Sequence, residues 1–220
     1  MEFRQKIMII TGHYGCGKTN FSLNLARQLS LAGPVTLVDL DVVNPYFRVS
    51  DFTGLLPGNV KVILPNYSRS TLDVPAISPE VYSVFGPGEG HVIFDAGGDD
   101  AGATALGRFS DHIKNAGYEM LYVVNQYRMQ VADPRDAAAM LRDIERASRL
   151  KATGIINNSH LGGQTDAKIV LGSIPYAREV ARVTGLPLAA TVTSEHVEVE
   201  DGAGGEIFKA KILVKSPWQV

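Results

Sequence analysis

Short, dense apolar runs alternate along this chain with longer stretches whose apolar positions recur every three or four residues. That alternation predicts a parallel α/β sheet. The runs predict strands at 6–11, 35–39, 60–64, 91–95, 120–125, 153–157 and 186–192. They are apolar at consecutive positions, as in strands covered on both faces. Helices are expected at 18–32, 79–85, 103–116, 134–150 and 166–184, with Gly33, Gly117 and Gly185 as helix-ending glycines. Asp133-Pro134 supplies an N-cap followed by proline in the first turn. The expected fold is one α/β domain over 1–220, a mostly parallel sheet of about seven strands with helices on both faces.

Two segments need arbitration. The run IVLGSIP at 169–175 has strand composition, but about eight residues would then separate it from the preceding strand, and a parallel crossover needs about a dozen. It therefore belongs to a crossover helix over 166–184, with a break expected at Pro175. Near the end, Phe208, Ala210, Ile212 and Val214 alternate with Lys209, Lys211 and Lys215. This predicts a strand rather than a membrane-binding amphipathic helix.

Composition changes the picture little. Hydrophobic residues make up 45% and charged residues 20% of the 220, and the net charge of −2 implies no general affinity for nucleic acid or anionic membrane. No apolar run approaches the roughly 18 residues of a spanning helix. The four or five apolar residues before Thr11 are too few for a secretory leader, so a cytoplasmic protein is expected. The single cysteine, Cys16, excludes an intrachain disulfide and an all-cysteine iron–sulfur cluster held by one chain.

Chemistry enters at residues 11–19, TGHYGCGKT. Gly12, Gly17, Lys18 and Thr19 fit G-x-x-x-x-G-K-[ST], and the match stands between a predicted strand and a predicted helix, as a phosphate-binding loop requires. Glycines let successive N–H groups converge on phosphate oxygens, and the helix aims its positive end at the same place. The expected cradle is Gly12, His13, Tyr14, Gly15, Cys16, Gly17, Lys18, Thr19 and Asn20. Lys18 would reach the β- and γ-phosphates and the Thr19 hydroxyl would ligate Mg²⁺. Cys16 reads as a small filler.

A nucleoside triphosphatase also needs carboxylates to hold the metal and orient water. The second strand ends VDLD, placing Asp39 and Asp41 at its C-terminal edge, and the fourth ends HVIFDAGGDDAG, placing Asp95 there. Asp39 and Asp95, with Thr19, form the expected metal set. Asp99 and Asp100 follow in a glycine-rich turn.

Taken together, GHYGCGKT, DLD and FDAGGDDAG resemble the MinD/ParA class of P-loop ATPases (the CobQ/CobB/MinD/ParA group, of the SIMIBI class) in order and separation. The resemblance implies a single-domain P-loop NTPase that binds ATP and Mg²⁺, forms a nucleotide-dependent homodimer and signals to a protein partner. By position it gives Asp41, or Asp99, the task of orienting the attacking water. It gives Asn158, at the end of TGIINN, a contact to adenine. One departure is prominent: the class's signature Lys, which reaches across the dimer, is replaced by His13, and the adjoining Gly by Tyr14. Imidazole is shorter and mostly neutral near pH 7.

Neither NQYR at Asn125 nor NSHL at Asn158 carries the Asp of the guanine-reading N-K-x-D motif, so adenine is expected. Pro45, Tyr46, Phe47 and Arg48, following Asp41, form a candidate partner anchor. Neither nucleic acid nor membrane is expected as a partner. Three functions stay open: a MinD/ParA-type ATPase switch, an ATP-dependent synthetase acting on a carboxylate, and an ATP sensor with little turnover.

Overall fold

The computed structural model describes residues 1, 3–41, 49–64, 78–88, 90–199 and 205–214. Among them, eight strands form one sheet: β1 (Ile7–Thr11), β2 (Val35–Asp39), β3 (Val60–Ile63), β4 (His91–Asp95), β5 (Tyr118–Val124), β6 (Gly154–Asn157), β7 (Leu188–Ser194) and β8 (Glu206–Ala210). Their order is β3-β2-β4-β1-β5-β6-β7-β8, and every pairing is parallel. The sheet is thus wholly parallel and has one strand more than the seven expected, the eighth being where the C-terminal alternation predicts a strand. The added strand is the C-terminal run, in which Phe208 and Ala210 are buried while Lys209 is exposed.

Among the described residues five α-helices connect the strands: α1 (Lys18–Leu29), α2 (Asp100–Gly107), α3 (Ser110–Ala116), α4 (Pro134–Ser148) and α5 (Ala167–Thr184). On one face α4 packs between α2 and α5, while α1 covers β1, β2 and β4. All five residues of β1 are buried, which is why IMIIT is apolar throughout apart from the threonine that begins the loop. Each such side chain contributes about 1.5–3 kcal/mol by leaving water. A buried Tyr122 donates from its hydroxyl to the Ala137 carbonyl at 3.0 Å, tying β5 to α4.

Several expected boundaries move. The segment 103–116 is two helices, because the chain turns after Gly107, where a Cβ would press on the Ala147 carbonyl of α4. The segment 79–85 is a 3-10 helix capped by Ser78, whose hydroxyl accepts from the Glu80 N–H at 3.2 Å. α1 stops at Leu29 with Ser30 as its cap, short of Gly33. The crossover helix forms as expected, but it continues through Pro175 without a break.

The order of strands fixes where a ligand can sit. The chain builds β2, β3 and β4 on one side of β1 and then β5 to β8 on the other. Loops therefore diverge at the C-terminal end of β1, the crevice that parallel sheets use for ligands. Residues 12–17 lie in that crevice.

Candidate functional site

The glycine-rich loop runs from β1 into α1, and the helix begins in an unusual way. Asp99, Asp133 and Asp166 cap α2, α4 and α5 through their side chains, whereas α1 begins at Gly17 (φ +81°) with no side-chain cap and no acid in its first turn. Its first N–H groups carry partial positive charge, and Lys18 adds a full one. Only 5% of Lys18 is exposed, and its Nζ donates to the His13 carbonyl at 3.4 Å. This arrangement is unfavourable without an anion and complementary to one.

Opposite Lys18 stand the carboxylates. Asp39 and Asp95 are register partners across β2 and β4, so they share one level of the sheet edge. Their surroundings differ. Asp39 accepts from the Asp41 N–H at 3.0 Å and from the Val49 N–H at 3.3 Å, so it ties down both ends of the loop after β2. Burial and the neighbouring Asp95 push its pKa up to about 8. Asp95 is wholly buried, and among the described residues neither oxygen has a hydrogen-bond partner. Burial raises its pKa to about 6, with the Lys18 charge opposing, and the Thr19 and Ser22 hydroxyls face it.

A buried carboxylate without partners is costly. A hydrated divalent cation between Asp95 and Thr19 would satisfy it, so these two residues fit Mg²⁺. Among the described residues no group of three or more His, Cys, Asp and Glu side chains could hold a metal alone.

Gly98 closes the crevice on this side, since a Cβ there would run into the Gly12 carbonyl oxygen. Asp41, 8% exposed, reaches the cleft. Asp99 is exposed, and its Oδ1 accepts from the Gly102 N–H at 2.7 Å as the α2 cap. Cys16 is buried beneath the loop, and burial pushes its thiol up to about 11. His13 is held below the ordinary imidazole value, chiefly by burial, with Lys18 and Arg128 adding to that and a Gln130 hydrogen bond opposing it. Tyr14 is 57% exposed at the cleft mouth.

From the loop, a cleft of about 880 Å³ crosses the C-terminal edge toward β8. Its far end is walled by Leu161, Gln164, Thr165, Ser194, Ile212 and Val214, and Asp41 is the one carboxylate among its described lining residues. Asn158 reaches it from the end of β6, donating from Nδ2 to the Cys16 carbonyl at 2.7 Å. A Cβ at Gly17 would collide with that same amide, so this glycine is what lets β6 approach the loop.

The sequence motifs bring together Lys18, Thr19, Asp39, Asp41, Asp95 and Asn158, but they miss three neighbours. Arg128 donates from Nε to the Gly15 carbonyl at 2.8 Å. His160 is lowered to about 4 by burial and then by Arg128. Asn125, buried, joins the loops after β5 and β6: its Oδ1 accepts from the Tyr127 N–H at 3.0 Å and its Nδ2 donates to the His160 carbonyl at 3.3 Å. Asn125 and Arg128 stood in the failed guanine motif, the signal that could have marked them. The candidate anchor Pro45, Tyr46, Phe47 and Arg48 lies outside the described residues.

No protein-family model and no curated relative matches this chain. Solved structures do. FtsY from Mycoplasma mycoides is 16% identical, over 86% of this chain and 59% of that one, with a TM-score of 0.53. Cell division protein FtsY from Thermotoga maritima is 18% identical, over 92% and 64%, also at 0.53. A nucleotide-binding protein from Archaeoglobus fulgidus, solved with ADP, is 16% identical over 90% and 83%, at 0.48. The chain thus spans 59–64% of the length of the two FtsY chains. The FtsY likeness shows the parallel α/β fold and is broader than the MinD/ParA resemblance of the motifs. No described helix is long and apolar enough to cross a membrane.

Proposed function

We propose that this chain binds ATP·Mg²⁺ in the cleft and hydrolyses it as a nucleotide-dependent switch. The observation that carries the reading is the pairing of an uncapped helix start bearing buried Lys18 with the unpartnered, buried Asp95 beside it. The first asks for an anion and the second for a cation, and a nucleoside triphosphate with its metal supplies both.

In this reading the loop N–H groups from Gly12 to Thr19 hold the phosphates, and Lys18 offsets charge on the β- and γ-oxygens. Thr19 and Asp95 hold Mg²⁺, whose chemistry is to neutralise charge developing on the phosphates. Asp39 keeps Asp41 in place through the loop backbone, and Asp41 orients water at the γ-phosphate end. Asp99, as a helix cap, stands second for that task.

Asn158 spends one of its two amide N–H groups on the Cys16 carbonyl, which leaves Oδ1 to accept and the second N–H to donate to a ligand. The exocyclic amine of adenine can donate there, while guanine presents an oxygen at that position and asks for a carboxylate elsewhere. Asp41, at the phosphate end, is the one carboxylate in the described lining, which supports adenine.

The switch itself, a nucleotide-dependent homodimer engaging a protein partner, rests on the motif resemblance. Its test is mass in solution by light scattering, with ADP·Mg²⁺ and then with a non-hydrolysable ATP analogue. The analogue alone should convert monomer to dimer, and Lys18→Ala should remain monomeric with either. An analogue that binds wild type without changing its mass contradicts the switch and moves the search to carboxylate acceptors.

A further inference from the structure

The cleft's far wall is built by a segment that no phosphate-loop motif includes. After β8 the chain runs back along α1, held there by two asparagines one turn apart on that helix. Asn24 donates from Nδ2 to the Lys211 carbonyl at 2.9 Å and accepts at Oδ1 from the Lys211 N–H at 2.8 Å. Asn20 donates to the same carbonyl at 3.0 Å and accepts from the N–H groups of Leu213 and Val214 at 2.8 and 3.1 Å. Every one of these bonds goes to backbone, so the clamp fixes the path of 211–214 whatever its side chains.

That path decides what faces the cleft. The Leu213 N–H donates to the Lys211 carbonyl at 3.0 Å, closing a tight turn at Ile212. Ile212 and Val214 line the cleft, Leu213 and Val214 also pack on the core, and Lys211 turns outward to Glu195 at 3.7 Å. Ile212 remains 51% exposed, an apolar side chain on the cleft wall. Phe208 packs on Phe21 of α1 with the rings tilted and their centroids 4.9 Å apart, which anchors β8 to the same helix. One helix therefore carries the phosphate loop at its start and, within its first two turns, the clamp for the opposite wall.

We propose that residues 211–214 form a strap that contacts the purine of the bound nucleotide, with Ile212 and Val214 as its contact surface and Asn20 and Asn24 as positioning residues. Asn20, which also lines the cleft, holds the strap as well. The inference rests on the nucleotide reading above and adds to it the group that grips the base end. When the clamp is weakened the strap is docked for only a fraction of the time, and apparent affinity falls by that fraction. Ligands lacking a base are indifferent to it.

The test is titration calorimetry of ATP·Mg²⁺ and of inorganic tripolyphosphate·Mg²⁺ into wild type, Asn24→Ala and Ile212→Ser, with circular dichroism confirming the fold of each. Wild type should prefer ATP. Both variants should bind ATP about tenfold more weakly and tripolyphosphate within about twofold of wild type. ATP affinity unchanged in both variants overturns the strap, as does a wild type that binds the two ligands equally. Loss of both ligands in Ile212→Ser also overturns it, because the effect would then lie at the loop. A wild type that binds neither ligand fails the nucleotide reading itself, a distinct outcome.

Discussion

At the residue scale, environment rather than identity decides what each polar group in the crevice can do. Asp39 and Asp95 are the same residue at the same level of the sheet, yet one is spent on backbone N–H groups and the other is unpartnered. The sequence motifs name both as metal ligands, and nothing in their spacing distinguishes them. The difference is made by the chain at 41 and 49 folding back onto Asp39. Cys16 offers a direct check of this kind of reasoning. A cysteine in a loop before a helix N-terminus can have a lowered pKa, but burial wins here and raises it to about 11. At pH 8 only about one thiol in a thousand is then ionised. Native Cys16 should react with a thiol-specific disulfide reagent at least about a hundredfold more slowly than in guanidinium, and the rate should climb about tenfold per pH unit. A native rate equal to the denatured one would show the loop open at Cys16.

At the scale of elements, the strands were legible because two-sided burial leaves dense apolar runs. Helix boundaries were less so. The turn after Gly107 depends on how closely α2 approaches α4, a tertiary distance with no local mark beyond the glycine itself. The strap was illegible for the same reason: its clamp joins residues nearly the whole chain apart, Asn20 and Asn24 to Lys211. Pro175 carries the reverse lesson. Proline ordinarily ends a helix, yet α5 continues through it because the burial of Ile174, Tyr176 and Ala177 outweighs one missing N–H. Since Pro175 itself is exposed, Pro175→Ala restores a bond to the Leu171 carbonyl without crowding. We expect it to raise stability by about 1–2 kcal/mol, part of the gain being offset by a freer unfolded chain. The melting temperature, followed by circular dichroism, should rise by about 2–8 °C. An unchanged or lower value would mean that α5 gains nothing from an unbroken hydrogen-bond ladder.

At the scale of the molecule, the parallel sheet gathers every candidate group at one edge. Residues from the ends of β1, β2, β4, β5 and β6 meet within a few residues of the strand termini, and β7 and β8 extend that edge into a cleft long enough for a nucleotide. His13, in place of the class's signature Lys, keeps an imidazole of lowered pKa beside Lys18 and Arg128, so the loop's positive charge at neutral pH rests on those two. The account's central claim is that this edge holds ATP·Mg²⁺ through Lys18. The most direct measurement is calorimetric titration of ATP·Mg²⁺ and GTP·Mg²⁺ into wild type and a folded Lys18→Ala variant. The account predicts one ATP per chain, GTP about tenfold weaker, and a loss of at least about a hundredfold in ATP affinity without Lys18. No binding of either nucleotide, or equal ATP affinity in Lys18→Ala, would contradict it.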